Sequence, residues 1–234
     1  MLRLRLIILC LCVPEYVLST TGRPPRPTPK PIGKGVKVHA EVFYDASYSQ
    51  VLKGKNGSEH EAVEEAMRKE LEELLRKAEQ HFENQTVQIK IEVKNVSENN
   101  NFSVKFQGGQ KSLDANGTLQ MLRKYAQSTG APNNTVYFLF SQWGLFEENK
   151  RGDGIPRSLS DFATYGTFCS NDASAAVVKP TRGSRRYLST VEAIAWIFGS
   201  TSYTRFYQDD RDNMERIFGR CHHQEEIATV VSGP

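Results

Sequence analysis

The chain has 234 residues, with Lys+Arg 30 against Asp+Glu 27 and a formal net charge of +3. That length suits one ordinary domain, and the 38% hydrophobic content with 17 glycines excludes wholesale disorder. The near balance of charge excludes an electrostatic nucleic-acid binder, and no apolar run reaches the roughly 20 residues of a membrane-spanning helix.

Met1 to Arg5 is short and basic, Leu6 to Val13 is apolar, and Val17-Leu18-Ser19 offers small residues for cleavage. This is the pattern of a signal peptide over residues 1–19, and it makes the protein a secreted, extracellular one. Residues 20–35 are rich in Pro, Lys and Arg and read as an extended leader. Residues 36–234 form the remaining domain. Val36 to Tyr44 alternates apolar and polar residues, which predicts a strand. Ser58 to Phe82 predicts a helix: Ser58 and Glu61 form a capping box, and Val63, Met67, Leu71, Leu74, Leu75, Ala78 and Phe82 form one apolar stripe.

Val87 to Val93 alternates again and predicts a second strand, with a short third one over Phe102 to Phe106. Gly108-Gly109 marks a turn, and Thr118 to Ser128 a helix stopped by Gly130 and Pro132. Val136 to Phe140 is a continuous apolar run, as in a central strand buried on both faces. Gln142 to Ser160 reads as a long polar loop, followed by strands over Thr164 to Phe168 and Ala173 to Val178. Ser189 to Phe198 predicts an apolar helix closed by Gly199, and Asp210 to Phe218 a last helix ending at Gly219. Strands mixed with helices around one core mean α/β or α+β.

Asn56, Asn84, Asn95, Asn101, Asn116 and Asn133 each open an Asn-x-Ser/Thr triplet, an acceptor for N-linked glycans on exposed loops. Arg151-Gly152-Asp153 stands in the long polar loop, where such a tripeptide can engage an integrin; the alternative is a solvated turn. Once the signal peptide carries off Cys10 and Cys12, Cys169 and Cys221 remain as a pair. In a secreted chain a lone pair reads as a disulfide, worth roughly 4 kcal/mol for a loop of this length, although two separate buried thiols satisfy the same count. The histidines, His39, His60, His81, His222 and His223, show no i, i+4 pair, and His222-His223 reads as surface rather than metal-binding.

Three segments, taken in order, resemble the metzincin metalloproteases of the reprolysin or adamalysin type, and look most like the short salivary members from ticks. They are Tyr165-Gly166-Thr167-Phe168-Cys169-Ser170 with Ala175 to Val178, the helix Ser189 to Ser200, and Phe218-Gly219-Arg220-Cys221 with Gln224 and Ile227. Glu41 to Asp45, Leu119 to Ala126 and Val136 to Ser141 resemble elements upstream of that family's active site. The resemblance covers about residues 36–230. It implies a single metzincin-like domain, a mixed twisted β-sheet with packed helices, and a bond between Cys169 and Cys221.

The family carries H-E-x-x-H-x-x-G-x-x-H, three imidazoles for zinc and a glutamate base. Aligned on Gly199, the ligand positions here are Glu192, Trp196 and Ser202, and the base position is Ala193. Aligned on Glu192 as base, the ligand positions become Val191 and Ala195. Indole offers only an N–H donor, so neither register supplies a zinc site. Ser189-x-x-Glu192 predicts a capping box, and Trp196, on an almost wholly apolar core helix, is expected to fill volume near the lost metal cavity. Met214 falls in a helix-like segment rather than in a tight turn, and the Pro-rich leader is too short for a folded inhibitory segment.

The expectation is therefore a secreted pseudoenzyme without metal or other cofactor, binding an extracellular protein or cell-surface receptor. The alternatives are an integrin ligand acting through Arg151-Gly152-Asp153, and an active zinc peptidase with a rebuilt site in which Glu192 is a ligand.

Overall fold

The alternating pattern at the start of the domain does form a strand, but a longer one than its periodicity marks. In the computed structural model, which describes residues 29–50, 60–148, 155–181 and 185–231, β1 spans Ile32–Tyr44. It therefore takes in the end of the Pro-rich stretch read as leader. Ile32 is buried and pairs with Val87, and the register then shifts before Val36. Gly33 makes this entry possible: its φ is +75°, and a Cβ there would stand 3.0 Å from the Phe218 ring.

Helix α1, His60–Glu83, buries all seven residues of the predicted stripe. It returns the chain to β2, Val87–Glu98, which pairs parallel to β1. Helix α2, Ala115–Ser128, starts three residues before its predicted position because the Asp114 side chain accepts from the Asn116 N–H and caps it. Strand β4, Thr135–Phe140, lies parallel to β1 on the side away from β2, and β8, Ser174–Val178, lies parallel to β4. The three-residue β7, Asp161–Ala163, closes that edge antiparallel, giving the order β2-β1-β4-β8-β7. A small second sheet joins β3 (Ser112–Asp114), β5 (Gly144–Glu147) and β6 (Arg157–Leu159). Thus the predicted polar loop contains two short strands, and the fold is mixed α/β.

Every residue of β4 and β8 is buried, because helices cover both faces of the sheet. Phe138, Phe140, Ala176 and Val178 join α1, α3 (Leu188–Ile197) and α4 (Gln208–Val231) in one apolar cluster. Their sequence neighbours Tyr137, Leu139, Ala175 and Val177 join α2 in the other, as the twofold period of a strand requires.

Three predicted elements differ from the fold. Residues 102–106 are no strand; Phe102 and Phe106 are buried anchors leading into a single 3₁₀ turn at Phe106–Gly108. Residues 164–168 form turns. The Gly166 and Phe168 N–H groups donate to the Trp196 and Ile197 carbonyls at the end of α3, so their hydrogen bonds are not available to a sheet. The last helix does not stop at Gly219 but runs on to Val231.

Cys169 and Cys221 are bonded, with Cα atoms 5.2 Å apart, and join the turn before β8 to α4. Among the described residues no helix is long and apolar enough to cross a membrane. The signal peptide, Asn56 and Arg151-Gly152-Asp153 lie outside the described residues.

Candidate functional site

Helix α3 is apolar on most of its surface, with Val191, Ala193, Ile194, Ala195 and Ile197 all buried. Glu192 and Trp196, four residues apart, share the face left over. They form one wall of a cavity of about 260 Å³ whose other wall is the β6–β7 strip, with Arg157, Asp161 and Phe162, and to which Glu147 of β5 contributes.

The predicted capping box does not form. The helix starts after Tyr187, whose side chain makes no capping bond, which leaves Ser189 inside the first turn, its Oγ 3.4 Å from the Arg186 carbonyl. The Glu192 carboxyl is thereby free to cross the cavity, where it is hydrogen-bonded to Asp161. Burial, followed by the Glu192 charge, pushes the Asp161 carboxyl up to about 8. Burial also raises Glu192, against the opposing pull of its Asp161 hydrogen bond and of Arg157. Two carboxyls in one partly dry site hold a proton between them. Asp161 carries no periodic or motif signal, which is why the sequence alone does not mark it.

Trp196 is not a core residue: it is 39% exposed and packs edge-on against Tyr165, ring centroids 5.2 Å apart. Tyr165 is itself held by its hydroxyl donating to the Gly199 carbonyl at 2.8 Å. Ala193, the position of the family's base, is fully buried and belongs to the core. Ser202 does not line the cavity. Its N–H donates to Ser200 Oγ, part of the turn in which Asp210 accepts from Ser200 Oγ and the Thr201 N–H ahead of α4. Met214 is fully buried within α4.

Of the four positions aligned with the zinc motif, only Glu192 and Trp196 are therefore brought together. The donor set does not fit zinc, since indole has no free lone pair and alanine no donor atom. Among the described residues no three His, Cys, Asp or Glu side chains converge to hold a metal ion. His39 stands 3.8 Å from Glu92, and His81 Nε2 is 2.7 Å from the Tyr203 carbonyl.

A second polar cluster lies where β1 and β4 end. Asp45, fully buried, accepts from Ser141 Oγ at 2.6 Å, from Ser47 Oγ and from the Tyr48 N–H. Burial raises its carboxyl despite these bonds. The cluster ties the two strand ends together.

Asn84, Asn95, Asn101 and Asn116 are exposed, and Asn133 is half-buried. Asn95 lies inside β2 and Asn116 in the first turn of α2, not between elements as their composition suggests. Glu147 and Arg157, which flank Arg151-Gly152-Asp153 in the sequence, pair antiparallel in β5 and β6 and line the cavity.

No family model and no curated protein matches the sequence. Among solved structures the chain is similar to archaemetzincin from Archaeoglobus fulgidus in complex with malonate, at 12% identity and a TM-score of 0.38, over 79% of this chain and 99% of that one. A likeness this loose assigns neither family nor chemistry to the chain.

Proposed function

We propose that this is an exported, non-catalytic protein on a metallopeptidase-like scaffold of the reprolysin type, which acts by binding an extracellular protein at the Trp196–Glu192 cavity. The observation that carries this reading is the fate of the motif helix. Where the resemblance implies imidazoles and a glutamate base, Glu192 is tied to Asp161, Trp196 rests on Tyr165, and Ala193 belongs to the core. Metal-assisted hydrolysis needs a water of lowered pKa and a base to take its proton, and these three residues supply neither. The half-exposed indole beside a cavity is the kind of anchor that protein interfaces use. Export is supported by the N-terminal segment, the six glycan acceptors and the disulfide.

The test is made on the secreted, glycosylated protein. Elemental analysis after dialysis is expected to find no stoichiometric zinc, and a peptide library is expected to remain uncut. One zinc per chain, with cleavage abolished by a chelator, would overturn the proposal in favour of a rebuilt peptidase site.

A second reading, an integrin ligand, is motivated by the sequence alone: the tripeptide falls in the segment between Glu147 and Arg157, which pair antiparallel in β5 and β6. Asp153→Glu preserves charge but lengthens the side chain, so it is expected to abolish inhibition of integrin-dependent cell adhesion. Equal inhibition by the variant and the native protein would remove this reading and leave the cavity proposal intact.

A further inference from the structure

Strand β2, Val87–Glu98, ends the five-stranded sheet, and among the described residues β1 is its one paired neighbour. The sheet's other end is closed by β7, only three residues long. A long free edge offers a row of N–H and C=O groups to any second strand, and soluble proteins guard such edges. Here the guard is a single side chain. Ile91 donates its N–H to the Glu79 carboxylate of α1 at 2.7 Å rather than to β1, so this group faces away from the sheet. Lys90 holds Glu79 in place, its Nζ donating to the other carboxylate oxygen at 2.9 Å.

The guarded residue is the centre of a self-complementary stretch. Ile89 to Val93 pairs with Val36 to Ala40 of β1 without interruption, and the register shifts on either side of it. Its sequence is Ile-Lys-Ile-Glu-Val, with Ile91 in the middle. Two copies laid antiparallel with Ile91 opposite Ile91 bring Ile89 opposite Val93 and Lys90 opposite Glu92. The outward N–H of Ile91 makes the Ile91 pair a hydrogen-bonded one. Lys90 and Glu92 then form the closer, non-hydrogen-bonded pairs, with Cα atoms about 4.5 Å apart. A twofold centred on Lys90 would set Lys90 against Lys90. One centred on Glu92 would set Glu92 against Glu92 and Lys90 against Lys94. Of these three registers only the middle one avoids like charges. Beside the edge, α1 lines a groove with Lys69, Glu72, Glu73 and Arg76. These are two bases and two acids, so no field of one sign keeps two copies apart.

We propose that the outer edge of β2 is a pairing surface for a second copy of this chain, antiparallel and centred on Ile91, and that Glu79 keeps it shut by occupying the Ile91 N–H. The contact is isologous: the same residues meet on both copies, and Lys90 of each faces Glu92 of the other. It lies at the end of the sheet away from β7 and the Trp196 cavity, and it does not depend on what that cavity binds.

The experiment uses the mature, disulfide-bonded chain, trimmed with an endoglycosidase because Asn84 and Asn95 flank this edge. Sedimentation velocity over a wide range of concentration is read together with hydrogen exchange of the Ile91 amide. The native protein is expected to stay monomeric. So is Glu79→Gln, whose amide oxygen still accepts from the Ile91 N–H. Glu79→Ala is expected to dimerise as concentration rises, with the Ile91 amide becoming protected in step. Adding Glu92→Lys to Glu79→Ala sets Lys90 opposite a like charge and is expected to weaken the dimer about tenfold. Adding Lys90→Glu as well restores the pair in reverse and is expected to recover it. If Glu79→Ala does not fold, Glu79→Ser, whose hydroxyl is too short to reach Ile91, takes its place. The proposal is overturned if the unguarded variant stays monomeric or if it dimerises without regard to the charge changes. It is equally overturned if the native protein already pairs through this edge, shown by concentration-dependent protection of Ile91.

Discussion

An Ala193→Glu substitution is expected to remove most of the protein's stability, although it restores the residue that the metzincin resemblance places there. Ala193 is completely buried and belongs to the cluster that contains Phe82, Phe138 and Phe198. A glutamate at this position must bury its carboxylate without a partner, protonate, or displace the core. Each of these costs several kcal/mol, on the order of the whole stability of a domain. The expected result is a severe fall in secreted yield and, for any protein recovered, a large drop in the urea midpoint. Glu192→Gln, one residue away on the cavity face, is the matched control and should remain well folded. A variant with Glu192→His, Ala193→Glu, Trp196→His and Ser202→His should consequently fail at folding, before any chemistry is at issue. Native-like stability of Ala193→Glu would contradict the placement of α3, because it would require the base position to face the cavity.

Replacing both cysteines, Cys169→Ala with Cys221→Ala, is expected to lower unfolding stability by about 2–5 kcal/mol. The bond closes a long loop, with 52 residues of separation, and so restricts the unfolded chain strongly. In the folded state the first half of α4 has independent anchorage. Phe218 meets Phe198 at 5.0 Å between ring centroids, Phe198 meets Phe168 at 4.9 Å, and Met214 and Ile217 are buried beside them. The double variant should therefore fold with the same sheet and the same β1–α4 contact but denature at lower urea. A reducing agent should shift the native protein by a similar amount and leave the variant unmoved. A denaturation midpoint equal to that of the native protein would show that loop closure contributes little here.

Where residues bury themselves with a local period, the element is written in the sequence. The α1 stripe, Val63 to Phe82, and the apolar run of β4 were legible because each buried position is marked by a neighbour two, three or four residues away. Mixed α/β architecture followed from the order of such segments. The pairing of Cys169 with Cys221 was legible from the count of cysteines and from the resemblance. What escaped the sequence depended on partners remote in the chain. Residues 164–168 have strand-like composition, but after Thr164, whose N–H still donates to Ala175 of β8, the Gly166 and Phe168 N–H groups are taken by the end of α3, so the segment turns. Gly219 is a helix stop by propensity, yet α4 passes through it.

The candidate site divides in the same way. The loss of the imidazoles at Glu192, Trp196 and Ser202 could be read from the letters alone. The part Glu192 plays could not, because Ser189-x-x-Glu192 satisfies a local capping rule as well as it satisfies any other. It is the packing of β7 against α3, whose start lies at Tyr187 rather than at Ser189, that brings this carboxyl to Asp161. Such a contact joins an edge strand to a helix through side chains with no shared period, and no local pattern encodes it.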